Sequence, residues 1–217
     1  HVPLRMALEA AVEDDLIPRN PASRTVIPRA ATTGIQERGP DVLSIDEVRA
    51  IIAAMPPHHQ LFTRLLIETG LRAGEAAALQ WSDIDWEGGH LSVNRAVRDG
   101  QIKEPKTANS YRTLPVTNSL LDLLRAHAAR PRRTESPWVF SSRAGTPMNH
   151  GNYLTRILKP AARSVGLGHA NLRGMRTACA SILYHQFGMN WHTLQRWLGH
   201  NSPMVTFEHY VRAQQAA

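Results

Sequence analysis

Cysteine is almost missing from this chain: its 217 residues hold one, Cys179. That excludes a disulfide within the chain and any metal site built on clustered cysteines. It fits a reducing compartment, and a cytoplasmic, nucleoid-associated location is expected. Long apolar runs are missing too, and none approaches the roughly 20 residues of a membrane-spanning helix. No basic amphipathic anchor stands out either, so of the partners that a net charge of +7 allows, nucleic acid is favoured over a membrane surface. Acidic residues are absent from the whole stretch between Ser136 and Phe207, in which Arg143, Arg156, Lys159, Arg163, Arg173, Arg176 and Arg196 all fall. Positive charge left uncompensated over that length asks for an anion, and phosphate fits best. There is no Walker-type glycine loop, internal repeat or low-complexity segment. The eleven histidines show no zinc-like spacing, since His58-His59 and the pair His185 and His192 lack Cys or acidic partners. Neither a metal nor a cofactor is expected.

What is present organises the chain into two parts. Leu4, Leu8, Ala11 and Val12 share one helical face within residues 1–17, an amphipathic helix whose stripe needs a partner surface. The chain opens on His1 in mid-pattern and is expected to be part of a longer protein. Pro18, Asn20, Pro21 and Pro28 break the pattern, and 26–40 reads as a linker between a helical end at 1–25 and a main domain at 41–217.

In that domain Ser44 and Glu47 form a capping-box pair ahead of an apolar helix that Pro56-Pro57 stops. A helix over 60–69 ends at Gly70, a left-handed cap, and a short Ala-rich helix over 73–79 follows. His90 to Val97 reads as one strand, Asp99-Gly100 as a hairpin turn and Tyr111 to Val116 as a further strand, with Lys106 in the loop between. Helices are expected over 118–129, over 149–164 with a kink or break at Pro160, over 171–187 up to Gly188, and from Asn190 with Trp191, Leu194, Trp197 and Leu198 on its apolar side. Ser202-Pro203 starts a last helical piece reaching Tyr210. The fold class is mainly α with one small antiparallel β-sheet (α+β).

Five stretches carry the chemistry: TGLRAGE at 69–75, EPKTANSYR at 104–112, GMRTACAS at 174–181, LGH at 198–200, and Tyr210. In order and spacing they resemble the tyrosine recombinase, or phage integrase, family, from about residue 41 to the end. The resemblance implies the catalytic-domain fold of that family and a site-specific recombinase that joins DNA through a covalent 3′-phosphotyrosyl intermediate. It implies double-stranded DNA as partner, a homo-tetramer on paired sites, and residues 1–25 as the end of a core-binding domain. By position, Arg72 and Arg176 hold the scissile phosphate, Lys106 protonates the leaving oxygen, His200 supports the phosphate and Tyr210 attacks. Glu75 orients its neighbours.

The chemistry of these residue types agrees. A free tyrosine has a pKa of about 10, so at neutral pH about one in a thousand is phenolate, a handicap of about 4 kcal/mol. Well-aimed cationic donors, each worth about 3 to 4 kcal/mol by deletion, offset it. Arginine suits the task because its planar fork matches phosphate and keeps its proton. Exchanging one phosphodiester for another conserves bond energy, so ATP is not required.

Arg173 stands where the family commonly has histidine, and Thr177 where it often has another. An arginine is no general base, so Arg173 reads as a further phosphate donor. A register with Arg173 as the second phosphate arginine spoils the spacing to Ala180-Ser181 and to Gly199-His200. Lys103 competes with Lys106. Plainer readings stand beside these: Arg72 pairing with Glu75 after a glycine cap, Arg173 and Arg176 on one solvated helix face, His200 as a cap, Tyr210 as a packing aromatic. Arg130, Arg132 and Arg133 form either a solvated patch or a backbone contact to DNA. Two rival functions remain: type IB topoisomerase-like strand relaxation, and a DNA-binding protein of the same fold without turnover.

Overall fold

The computed structural model of the chain describes residues 2–23, 42–104, 111–131 and 135–199. It divides into two units, His1–Arg38 and Gly39–Ala217. In the first, helix α1 (Val2–Glu13) ends where Asp15 takes a positive φ of 56°. Asn20 then folds back to donate to Glu9, and its own Oδ1 accepts from Ala22 N at 2.9 Å. Leu4, Met6 and Leu16 stay exposed. The linker expected over 26–40 lies outside the described residues.

In the second unit the Ser44–Glu47 capping box starts α2 (Ile45–Ala53), with both reciprocal bonds formed. α3 (Pro57–Thr69) begins three residues earlier than its periodicity suggests, because Pro57 at its first position has the φ a helix needs and no N–H to leave unpaired. It ends at Gly70, whose φ of 65° is left-handed. The short α4 (Ala73–Ala77) and a 3₁₀ turn at Trp81–Asp83 lead into β1 (Ile84–Asp85) and β2 (His90–Val93).

The single strand expected over 90–97 is two strands in two sheets. β2 lies between β1 and β5 (Arg112–Pro115), with Leu91 opposite both Ile84 and Leu114. β3 (Ala96–Arg98) pairs only with β4 (Gln101–Lys103), with Asp99 and Gly100 at the turn, both at positive φ. Asp83 causes the break. Its carboxylate accepts from Asn94 Nδ2 at 2.9 Å and from Arg95 Nη1 at 2.5 Å, holding the two residues that separate β2 from β3.

Helix α5 (Asn118–Ala128) follows, capped by Thr117. The segment at 149–164 stays helical through Pro160: α6 (His150–Tyr153) runs into a π turn at Leu154–Leu158 and then α7 (Lys159–Ser164). A π turn before a proline re-registers the carbonyls that its missing N–H would otherwise orphan. α8 (Leu172–His185) and α9 (Trp191–Leu198) are capped by Asn171 and Asn190. The core, with Phe62, Leu65, Leu66, Leu120, Leu124, Leu158 and Met175 fully buried, brings α3, α5 and α8 together. The helical piece expected from Ser202 lies outside the described residues.

Candidate active site

Three elements send an arginine to the end of α9: the junction before α4, strand β5 and helix α8. Gly70 ends α3, so the chain turns sharply and Arg72 emerges one residue before α4. A side chain at Gly70 would meet Leu198 Cδ2 at 2.9 Å and Cys179 Sγ at 3.2 Å, so only glycine lets α3, α8 and α9 meet there. Glu75, one turn into the junction, accepts from Arg72 N at 2.9 Å and from Arg72 Nη1 at 2.7 Å. Gly74 lies so close to β3 that an added Cβ would sit 2.4 Å from Val97 O, which fixes α4 against the second sheet.

Glu75 is also bound from the other side. Arg112, the first residue of β5, donates to Glu75 Oε2 from Nη2 at 2.8 Å and to Oε1 from Nη1 at 3.4 Å. The carboxylate therefore takes four donors, which fills its acceptor capacity. Both side chains of this pair are almost fully buried. Burial pushes the Glu75 carboxyl up, but the charge and hydrogen bond of Arg112 and the charges of Arg72 and Arg176 outweigh it and hold the group down at about 2.

Arg176, from α8, is buried and crosses the gap between two carbonyls, donating to Gly70 O and to Leu198 O, each at 2.6 Å. Arg72 Nη2 donates to Gly199 O at 3.0 Å, and Arg112 Nε to Trp197 O at 2.8 Å. Three consecutive carbonyls at the end of α9 thus each accept from a different guanidinium. Such carbonyls have no partner within a helix and carry the negative end of its dipole. The left-handed Gly199, at φ 64° and ψ 49°, ends α9 directly before His200 in the chain.

Arg72, Glu75 and Arg176 of the sequence-predicted site are therefore brought together. The pairing of Arg72 with Glu75 is real, and it is part of a larger cluster. Arg173, one turn before Arg176, is exposed where Arg176 is buried, so the two do not share one solvated face. Lys103 is exposed at the end of β4. Lys159, one of the cations of the acid-free stretch, donates from Nζ to Gly168 O at 2.9 Å and closes its own loop. Lys106, His200 and Tyr210 lie outside the described residues, as do Arg132 and Arg133. Among the described residues no His, Cys, Asp or Glu group could hold a metal ion.

Arg112 was missed. A signal for it exists: on β5 it shares a face with buried Leu114 and stands opposite buried Val93. An arginine at an inward strand position calls for a buried carboxylate.

Of the three arginines set around this saturated carboxylate, Arg112 and Arg176 are buried and Arg72 is the one with a substantially exposed side chain. Residues 41–217 match the Phage integrase family, and the chain belongs to that family. It is 27% identical over 236 residues to a tyrosine recombinase XerC-like protein of Caldanaerobacter subterraneus subsp. tengcongensis, covering 96% of this chain and 60% of that protein. To the ICEBs1 integrase of Bacillus subtilis it is 27% identical over 227 residues, covering 95% of this chain and 58% of the relative. The chain thus spans somewhat under two thirds of the length of these relatives. Among solved structures, the Tn1549 transposon integrase in complex with a circular intermediate DNA superposes with a TM-score of 0.76 at 20% identity, covering 98% of this chain and 74% of that one. A lambda integrase dimer bound to a core site gives 0.65 at 18% identity, covering 95% and 69%. These likenesses establish a catalytic-domain fold of the tyrosine recombinase type.

Proposed function

We propose that the protein is a site-specific DNA recombinase that cuts and rejoins one strand at a time through a 3′-phosphotyrosyl intermediate. Arg72 and Arg176 hold the scissile phosphate, with Arg173 as a further donor from the exposed side of α8. As the Tyr210 oxygen attacks phosphorus its hydroxyl proton leaves to water, the phosphate itself or His200, the bond to the 5′ oxygen breaks, and that oxygen takes its proton from Lys106. His200 supports the phosphate, and Glu75 orients the arginines. The 5′-hydroxyl of a partner duplex then reverses the step and releases Tyr210. Double-stranded DNA is the substrate, the working assembly is a homo-tetramer on paired sites at the nucleoid, and residues 1–25 end a core-binding domain.

The observation that carries this reading is the convergence of Arg72, Arg112 and Arg176 on Glu75 and on the last carbonyls of α9, next to His200 in the chain. Among the described residues, the bonds of Arg72 use two of its five N–H donors, and its side chain is 40% exposed, so it has donors to give to a phosphate. The relatives named above are recombinases and integrases, which favours strand exchange over supercoil relaxation and over binding without turnover. The Tn1549 and lambda integrases were solved on DNA, which supports a DNA substrate here.

The test is a nicked suicide substrate carrying the element's own ends, incubated with the full-length protein and resolved on a denaturing gel. A protein–DNA adduct that disappears in Tyr210→Phe is the expected result. DNA binding with no adduct contradicts the enzyme reading.

A further inference from the structure

We propose that Arg112 is a positioning residue of this site: it ties the Glu75 carboxylate to the last turn of α9 and so sets where Arg72 meets the scissile phosphate. The inference rests on the strand-cleaving reading and adds a residue to it.

Arg112 is the only residue among those described that bonds both to Glu75 and to the end of α9 from the sheet side, through Nη2 and Nη1 to the carboxylate and through Nε to Trp197 O. Arg72 makes the matching link from the helix side, to Glu75 and Gly199 O. Glu75 is therefore held between two arginines. If Arg112 lets go, two of the four donors on Glu75 vanish, and the carboxylate is left to draw Arg72 wholly to itself, away from an incoming phosphate. The Trp197 carbonyl loses its partner in the same step, and the end of α9 loses one of three anchors. Arg112 itself is nearly enclosed, with its fork spent on protein acceptors, so it acts through Arg72 and the end of α9.

Geometry matters here more than charge. The three N–H groups that Arg112 uses lie in one plane and reach a carboxylate and a carbonyl at once, three acceptor atoms in all; a lysine supplies the same charge at one point and cannot span both groups. A misplacement of about 1 Å at a reacting centre costs up to about 100-fold in rate.

The experiment measures single-turnover adduct formation on the suicide substrate at saturating DNA, beside DNA affinity and thermal melting, for the full-length protein and Arg112→Lys. A rate lowered about 10- to 100-fold, with affinity within about threefold and a cooperative melt retained, is the expected outcome. A rate within twofold of wild type, or a loss matched by the loss of folded protein or of affinity, overturns the proposal. Glu75→Asp decides the matter if Arg112→Lys does not fold: its shortened carboxylate cannot reach Arg72 and Arg112 together, so the same split between rate and affinity is expected, and wild-type rate overturns the proposal. Absence of an adduct from the wild-type protein overturns the strand-cleaving reading and this inference with it, whereas a full-rate variant beside an active wild type overturns this inference alone.

Discussion

A carboxylate almost removed from water and held by two arginines is costly to disturb, and Glu75 is such a group. Its pKa of about 2 stands below the ordinary glutamate value of 4.5. A depressed acid contributes stability that is fully present above its unfolded value and is lost as pH falls through its folded value. Glu75→Gln is therefore expected to cost about 3 kcal/mol at pH 7, because it leaves buried guanidinium charge uncompensated. The gap between variant and wild type should close as pH falls from about 4.5 to about 2, which urea unfolding across that range will follow. Cys179, packed against Gly70, is a second buried titratable group. Burial pushes its thiol up to about 12, against the pull of Arg176, so it carries almost no thiolate at neutral pH. Iodoacetamide at pH 7.5 should leave it unmodified in the folded protein and label it in urea; rapid labelling of the native protein would contradict the packing at Gly70.

At the scale of elements, local signals were legible and distant ones were not. The Ser44–Glu47 box, Gly70, the Asp99-Gly100 turn and Asn190 each state their role within four residues, and the structure places a cap or turn at every one. The strand over 90–97 was misread because its break depends on Asp83, and Arg112 was missed because its partners lie 37 and 85 residues away. The π turn before Pro160 likewise has no sequence marker of its own. Helix α9 brings both kinds together, since its caps are local and its three carbonyl anchors are not. Asn190 Oδ1 accepts from Thr193 N at 2.9 Å, and Asn190→Ala should lower stability by about 1 kcal/mol, seen as a lower urea midpoint at unchanged slope. An unchanged midpoint would mean that the anchors alone hold α9.

Across the whole molecule, charge does what no single contact does. The formal charge is +7, and Arg130, Arg143, Arg156, Arg163, Arg173 and Arg196 are exposed. If about six phosphates are neutralised, log affinity for DNA falls against log salt with a slope of about −5. A slope shallower than about −2 in a fluorescence titration of the full-length protein would contradict a DNA-backbone role for that surface. The acid-free stretch that predicted this surface was legible at once, whereas the division between exposed arginines and buried Arg176 needed the packing of α8 on α3.

The central claim is a covalent bond to one tyrosine. The chain has four, and Tyr153 is a poor candidate: burial pushes its hydroxyl up to about 12 despite its hydrogen bond with Thr63, and it donates to His59 O at 2.6 Å. The measurement that tests the claim most directly is mass spectrometry of the trapped adduct after trypsin and nuclease digestion. The nucleotide remnant is expected on the peptide spanning residues 197–212, attached at Tyr210. A remnant on a peptide carrying Tyr111, Tyr153 or Tyr184, or on no tyrosine at all, would contradict it.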